Sequence, residues 1–152
     1  MVDLYALLKL VHIGAAIVAV GANVTYAFWL ALAGQDRAKL LFAMSGIRRL
    51  DSRVANPAYI ALAATGVPLV IVGNWSFVTT WIWVSIVLYL ATAFIGITLY
   101  APAIRAQLRE AEEDPSSENY AAAARRSNAL GLTTLVIVSV IVGLMVLKPG
   151  SV

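Results

Sequence analysis

One stretch constrains this chain more than any other: the apolar run from Leu4 to Ala33, LYALLKLVHIGAAIVAVGANVTYAFWLALA. It carries a single formal charge, Lys9, and the only histidine in the protein, His12. About 20 apolar residues suffice for a helix to cross a hydrocarbon layer of about 30 Å, and this run is longer. Lipid offers no partner to a bare N–H or C=O, so a segment that crosses it must satisfy its own backbone as a helix. The run also exceeds the 7–15-residue core of a secretory signal, and no basic cluster precedes it, so it is expected to be retained.

The remainder repeats the pattern. Hydrophobic residues make up 61% of the chain and charged residues 12%, against about 25% charged in a soluble domain. Four apolar blocks stand out, at about 4–33, 57–72, 81–100 and 129–147. Lysine and arginine collect between them: Arg37, Lys39, Arg48, Arg49 and Arg53 in the first connection, and Arg105, Arg109, Arg125 and Arg126 in the third. The middle connection, GNWSFVTT, is uncharged. Basic loops stay on the cytoplasmic side. The expectation is therefore an all-α, four-span bundle in a bacterial inner membrane, a single membrane domain over 1–152 with both termini on the outer face. A net charge of +3 confined to short loops gives no reason to invoke nucleic acid. Cysteine is absent, which excludes disulfides and thiolate metal sites.

Local patterns refine this outline. Leu40, Met44, Ile47, Leu50 and Val54 recur at helical spacing opposite the basic residues. Residues 37–55 therefore read as an amphipathic helix in the headgroup layer, with Arg48, Arg49 and Arg53 near anionic phosphates. Pro68 inside the second span predicts a kink. Trp75, Phe77, Trp81 and Trp83 read as an aromatic belt. Ser85, Tyr89, Thr92, Gly96 and Tyr100 share one face of the third span, and Gly131, Leu135, Ser139 and Gly143 one stripe of the fourth. The third helix should continue to about Glu113 and break at Asp114-Pro115. Ser116 or Ser117 should then cap the next helix, making a cytoplasmic helical hairpin between spans three and four. The Glu110–Glu118 acidic cluster reads as a solvated face.

Chemistry is legible mainly on the first helix. Tyr5, His12 and Asn23 return to one side, with Lys9 a turn before the histidine and Tyr26 nearby. Gly14, Ala15, Gly21 and Ala22 form a strip of small residues beside them, admitting a neighbour. Polar groups in hydrocarbon are costly, so this side should face the bundle interior. His12 then has three readings. It bonds a neighbouring helix through Asn56, Tyr59, Ser85 or Tyr89; it is an axial ligand of haem b, the only way it would hold a metal; or it joins Lys9 and Tyr5 in a proton relay. For haem, the second axial position falls to Lys9, Lys148, Met145, water or nothing. Lys9 can snorkel to the headgroups, Asn23 should bond across helices, and Tyr26, Phe28 and Trp29 suit an interfacial anchor. No dinucleotide fingerprint, Walker loop, zinc pattern or Gly-x-Ser-x-Gly elbow occurs.

Leu8-Lys9-Leu10-Val11-His12-Ile13, Gly21-Ala22-Asn23, Ala27-Phe28-Trp29, Gly73-Asn74-Trp75, Trp81–Trp83 and the ending Met145-Val146-Leu147-Lys148-Pro149 resemble the uncharacterised bacterial integral membrane family DUF2269. That resemblance covers essentially the whole chain and implies no activity. More distantly, the Leu-Lys-x-x-His-Ile opening is similar to that of the membrane protoporphyrinogen oxidases, in which a first-helix histidine ligates haem, and of the copper-resistance protein D family. Only His12 and its neighbours carry over. The third span has no lysine to match the oxidases, and the histidine-rich features of copper carriers are missing. The expected function is a small membrane bundle that binds b-type haem through His12, with Tyr5, Lys9, Asn23 and Tyr89 around it, or that serves as an accessory subunit. The alternatives are a haem-dependent oxidoreductase and a proton, ion or small-molecule carrier. A second copy or another membrane subunit would be the partner.

Overall fold

A computed structural model describes residues 3–150. They form six α-helices joined into four long rods. The first rod is α1 (Leu4–Ala33). The second runs from α2 (Arg37–Leu50) through a π turn, Asp51–Ala55, directly into α3 (Asn56–Val72). The third joins α4 (Thr80–Ile95) to α5 (Ala101–Glu113) through another π turn, Gly96–Tyr100. The fourth is α6 (Glu118–Leu147). All four rods are long and apolar enough to cross a membrane.

The helix starts follow from local chemistry. Asp3, Asp36 and Ser117 each accept a backbone N–H of the first turn with a side-chain oxygen, filling donors that a helix start leaves open. Of the two serines expected on sequence as the cap, Ser116 and Ser117, it is Ser117 that fills the position, and α5 ends at Glu113 as expected. Pro57 and Pro102 stand in first turns, where a missing N–H costs little.

The rods are 30, 36, 34 and 30 residues long, or about 45–54 Å at 1.5 Å per residue. Each therefore exceeds the hydrocarbon thickness. The surplus gathers at one end, where α2, α5 and the ends of α1 and α6 build a compact core. Leu40, Ala43 and Met44 of α2 bury against Ala33 and Ala111, ringed by Leu30, Leu41, Leu108 and Tyr120. The apolar stripe assigned to the headgroup layer is thus largely covered by protein, and α2 runs on into α3 instead of forming a separate surface helix. The small Ala33 and Ala111 let α2 approach closely. Arg48, Arg49 and Arg53 stay exposed on the other side.

Within the apolar stretches α1 packs chiefly on α3, and α4 on α6, with α1 and α6 bridging the pairs. At the opposite end Trp81 is 6% exposed, wedged among Val70, Ile82, Trp75, Leu144 and Met145. This corrects the belt expectation. Phe77 and Trp83 are outward, but Trp81 belongs to the packing, its ring edge-on to Trp75 at 5.5 Å. Lys148 lies over both rings, at 5.1 and 5.6 Å. Gly73 makes this turn possible. A Cβ there would fall 2.7 Å from Trp75 Cδ1 and 2.8 Å from the Leu69 carbonyl oxygen. The small-residue strips behave unevenly: Ala22 is buried and Ala15 half-buried, whereas a Cβ on Gly14, Gly21 or Gly143 would meet open space.

Candidate functional site

The polar face of α1 meets the second rod as an antiparallel ladder. Going along α1, His12, Asn23 and Tyr26 engage Thr65, Tyr59 and Asp51 in turn, so partners ascend one helix as they descend the other. The first rung joins His12 Nδ1 to Thr65 Oγ1 at 2.8 Å. Thr65 has one hydroxyl proton, and it points to the Ala61 carbonyl oxygen at 2.6 Å. We therefore assign the imidazole proton to Nδ1, which donates to Thr65 and leaves Nε2 unprotonated; the ring also meets the Leu62 backbone carbonyl. The ring edge lies against α3 where the chain has glycine. A Cβ on Gly66 would sit 3.3 Å from His12 Cε1.

The second rung is Asn23 Nδ2 donating to Tyr59 Oη at 2.5 Å and to the Ala19 carbonyl oxygen at 3.0 Å. Tyr89 extends it to the third rod, donating to the Tyr59 carbonyl oxygen at 2.8 Å. The third rung is a longer contact, Tyr26 Oη to Asp51 Oδ1 at 3.5 Å. Membrane interhelical hydrogen bonds are worth about 0.6 kcal/mol on average and about 1.7 at most. The ladder therefore aligns the helices more than it stabilises them.

Several sequence expectations change here. Asn23 bonds across helices as expected. His12 does not pair with Asn56, Tyr59, Ser85 or Tyr89; Thr65 takes that place, because the antiparallel register sets His12 opposite the far half of α3. Ser85 is buried but turns its hydroxyl to its own helix at the Trp81 carbonyl. Tyr26 is 5% exposed and packed with Ala22, Ile47 and Ala55, so it is no interfacial anchor. Phe28 and Trp29 are exposed, edge to face. Tyr5 and Lys9 stand apart from the ladder, with the exposed Lys9 ammonium 6.0 Å from the Tyr5 ring centre. Met145 and Lys148 belong to the tryptophan cluster rather than to His12.

Asp51 was not singled out on sequence, where it is one of two acids among five cationic residues. The fold half-buries it within a π turn, a geometry frequent at functional sites. Thr65 gave no signal either, since a threonine within an apolar helix ordinarily back-bonds to its own turn.

Space around the ladder is small. The cavity lined by Val20, Asn23, Tyr59, Thr134, Leu135 and Val138 holds about 10 Å³, enough for one water. A haem macrocycle does not fit there. His12 and Asn23 stand eleven positions apart, about 16 Å of helix, with Ala15, Ala19 and Val20 between them, so the polar rungs are not continuous. Among the described residues no group of three histidine, cysteine, aspartate or glutamate side chains is placed to hold a metal ion.

Residues 6–149 match the family described as predicted integral membrane protein, DUF2269. The chain belongs to that family. No significant match to a curated protein or to a solved structure was found. Family membership agrees with the four long apolar rods and assigns them no reaction.

Proposed function

We propose that this membrane protein is a non-catalytic accessory subunit of the bacterial inner membrane, acting by presenting its apolar helices to a second copy or to another membrane subunit. The observation that carries this reading is the His12–Thr65 rung. The solitary imidazole spends Nδ1 on α3 and packs its edge on Gly66, a use that needs no bound group. Tyr59 and Tyr89 likewise tie helices together. The distribution of lysine and arginine supports an orientation with the α2–α5 end in the cytoplasm, both termini outside, and Arg48, Arg49 and Arg53 near anionic headgroups. On this reading the α5–α6 hairpin extends into the cytoplasm.

A second reading is supported by the assigned tautomer: Nε2 keeps its lone pair, as a haem ligand requires. A haem-dependent oxidoreductase would rest on that ligation. The small interior cavity argues that any macrocycle must approach from outside the ladder. The gap between rungs weighs against a proton carrier. Absorption spectroscopy of the detergent-solubilised protein, expressed with supplemented haem, separates the first two readings. A colourless preparation is expected, with His12→Ala lowering only thermal stability. A Soret band lost in His12→Ala would overturn the accessory reading in favour of haem binding. Flux into proteoliposomes above that of empty vesicles would restore the carrier.

A further inference from the structure

The middle rung of the ladder leaves two hydrogen-bonding groups open. Asn23 gives Nδ2 to the Ala19 carbonyl, which can only accept, so the orientation of the amide is fixed and Oδ1 lies on its other side. Nδ2 also donates to Tyr59 Oη at 2.5 Å, which directs the Tyr59 hydroxyl proton elsewhere. Among the described residues no donor meets Asn23 Oδ1 and no acceptor meets that proton. Both residues stand within apolar runs, where lipid supplies no partner and a bare polar group is costly.

Both also line the cavity of about 10 Å³ between α1, α3 and α6, together with Thr134. Thr134 donates its own proton to the Gly131 carbonyl at 2.8 Å, so toward any other group its oxygen acts as an acceptor. One donor and two acceptors therefore border a space the size of one water, the number of partners a buried water ordinarily has. No charged side chain lines the cavity, so a cation there would lack compensation.

We propose that this cavity binds one resident water, which donates to Asn23 Oδ1 and Thr134 Oγ1 and accepts from the Tyr59 hydroxyl. Its consequence is for α6. Among the described residues, α6 makes one direct side-chain hydrogen bond to another helix, Ser127 Oγ donating to Gln107 Oε1 at 2.5 Å. That pair lies before the fourth apolar run begins at Ala129. The water is then the polar tie that holds α6 to the α1–α3 ladder inside the membrane. It is independent of whether His12 carries a ligand.

The test is proton-detected solid-state NMR of the full-length protein in phosphatidylglycerol vesicles, following magnetisation transfer from water to side-chain methyls. Methyl protons do not exchange, so transfer to Val20, Leu135 and Val138 reports a water beside them. The wild type should show it at these three and not at Val140, which is 48% exposed on the same helix. Thr134→Val keeps the shape, removes one partner and should lose the transfer at Val138. Thermal unfolding of Tyr59→Phe, Thr134→Val and the double variant gives a second readout. The two side chains share no direct bond, so a common water makes the double variant lose less Tm than the sum of the single losses. Equal transfer at Val138 and Val140, no transfer at Val138 in the wild type, unchanged transfer in Thr134→Val, or strictly additive Tm losses would each overturn the site.

Discussion

The two ends of these rods are held together differently. In the most apolar stretches only 6, 17, 11 and 0% of residues are buried, and helices meet through isolated polar rungs and a tryptophan cluster. At the α2–α5 end, Leu40 and Ala111 are fully buried and the Gln107–Ser127 pair is sealed between helices. The contrast has a physical origin. Lipid tails are as apolar as leucine, so burying a side chain against another helix gains little there, and close contact and hydrogen bonds decide the packing. Where the rods outrun the hydrocarbon, water penalises exposed leucine and a core condenses.

The largest expected effect tests that contrast directly. Leu40→Ala should cost about 3 kcal/mol by opening a cavity in the α2–α5 core, while Leu10→Ala, at a residue 69% exposed, should change stability by less than about 0.5 kcal/mol. Thermal unfolding in detergent measures both, and equal losses would erase the distinction between the ends. Next in size is Gly73→Ala, whose new methyl has the Leu69 carbonyl and Trp75 in its way; overpacking of this kind costs about 1–3 kcal/mol. Tryptophan fluorescence should shift with it. Gly143→Ala, with open space around it, should leave both readouts unchanged.

A smaller pair of effects compares hydrogen bonds across the two environments. Ser127→Ala strands the buried Gln107 oxygen, at a cost of about 1–3 kcal/mol. Thr65→Val removes the His12 rung together with the Thr65 back-bond to the Ala61 carbonyl, and the interhelical part should cost about 0.6 kcal/mol. The smallest effect concerns the exposed turn after α5. There the Ser116 hydroxyl, at 2.6 Å, and the Ser116 backbone N–H, at 2.8 Å, hold the Asp114 carboxyl below its usual range. A lowered folded-state value makes this contribution present above the unfolded value of about 3.9. It is lost as the pH falls through the lowered value. Amide exchange at the start of α6 should accelerate in that acid range in wild type, and Ser116→Ala should blunt the change.

Much of the fold was readable because it answers to solvent. Apolar run length marked four rods, Asp114-Pro115 marked the break before α6, and Ser117 supplied its cap. The α2 stripe was also visible, but its destination was not, since a headgroup layer and a neighbouring helix reward the same spacing of Leu40, Met44 and Ile47. At the candidate site the pattern placed His12 and Asn23 on one side of α1 and correctly had Asn23 reaching across. It could not choose Thr65 over Tyr59, because a slide of α3 by the six positions that separate them, under two turns, keeps every hydropathy value and changes every partner.

By itself, then, the order of residues determined that this chain is a set of long membrane-suited helices with scarce polar groups turned toward one another. Hydrophobicity is a property of each segment against its solvent, so it survives without coordinates. Tertiary structure alone decided that Asp51 enters a half-buried π turn, that Trp81 leaves the lipid face, and that Thr65 receives the imidazole. Those outcomes depend on register and on the fit of two surfaces, which no segment carries alone.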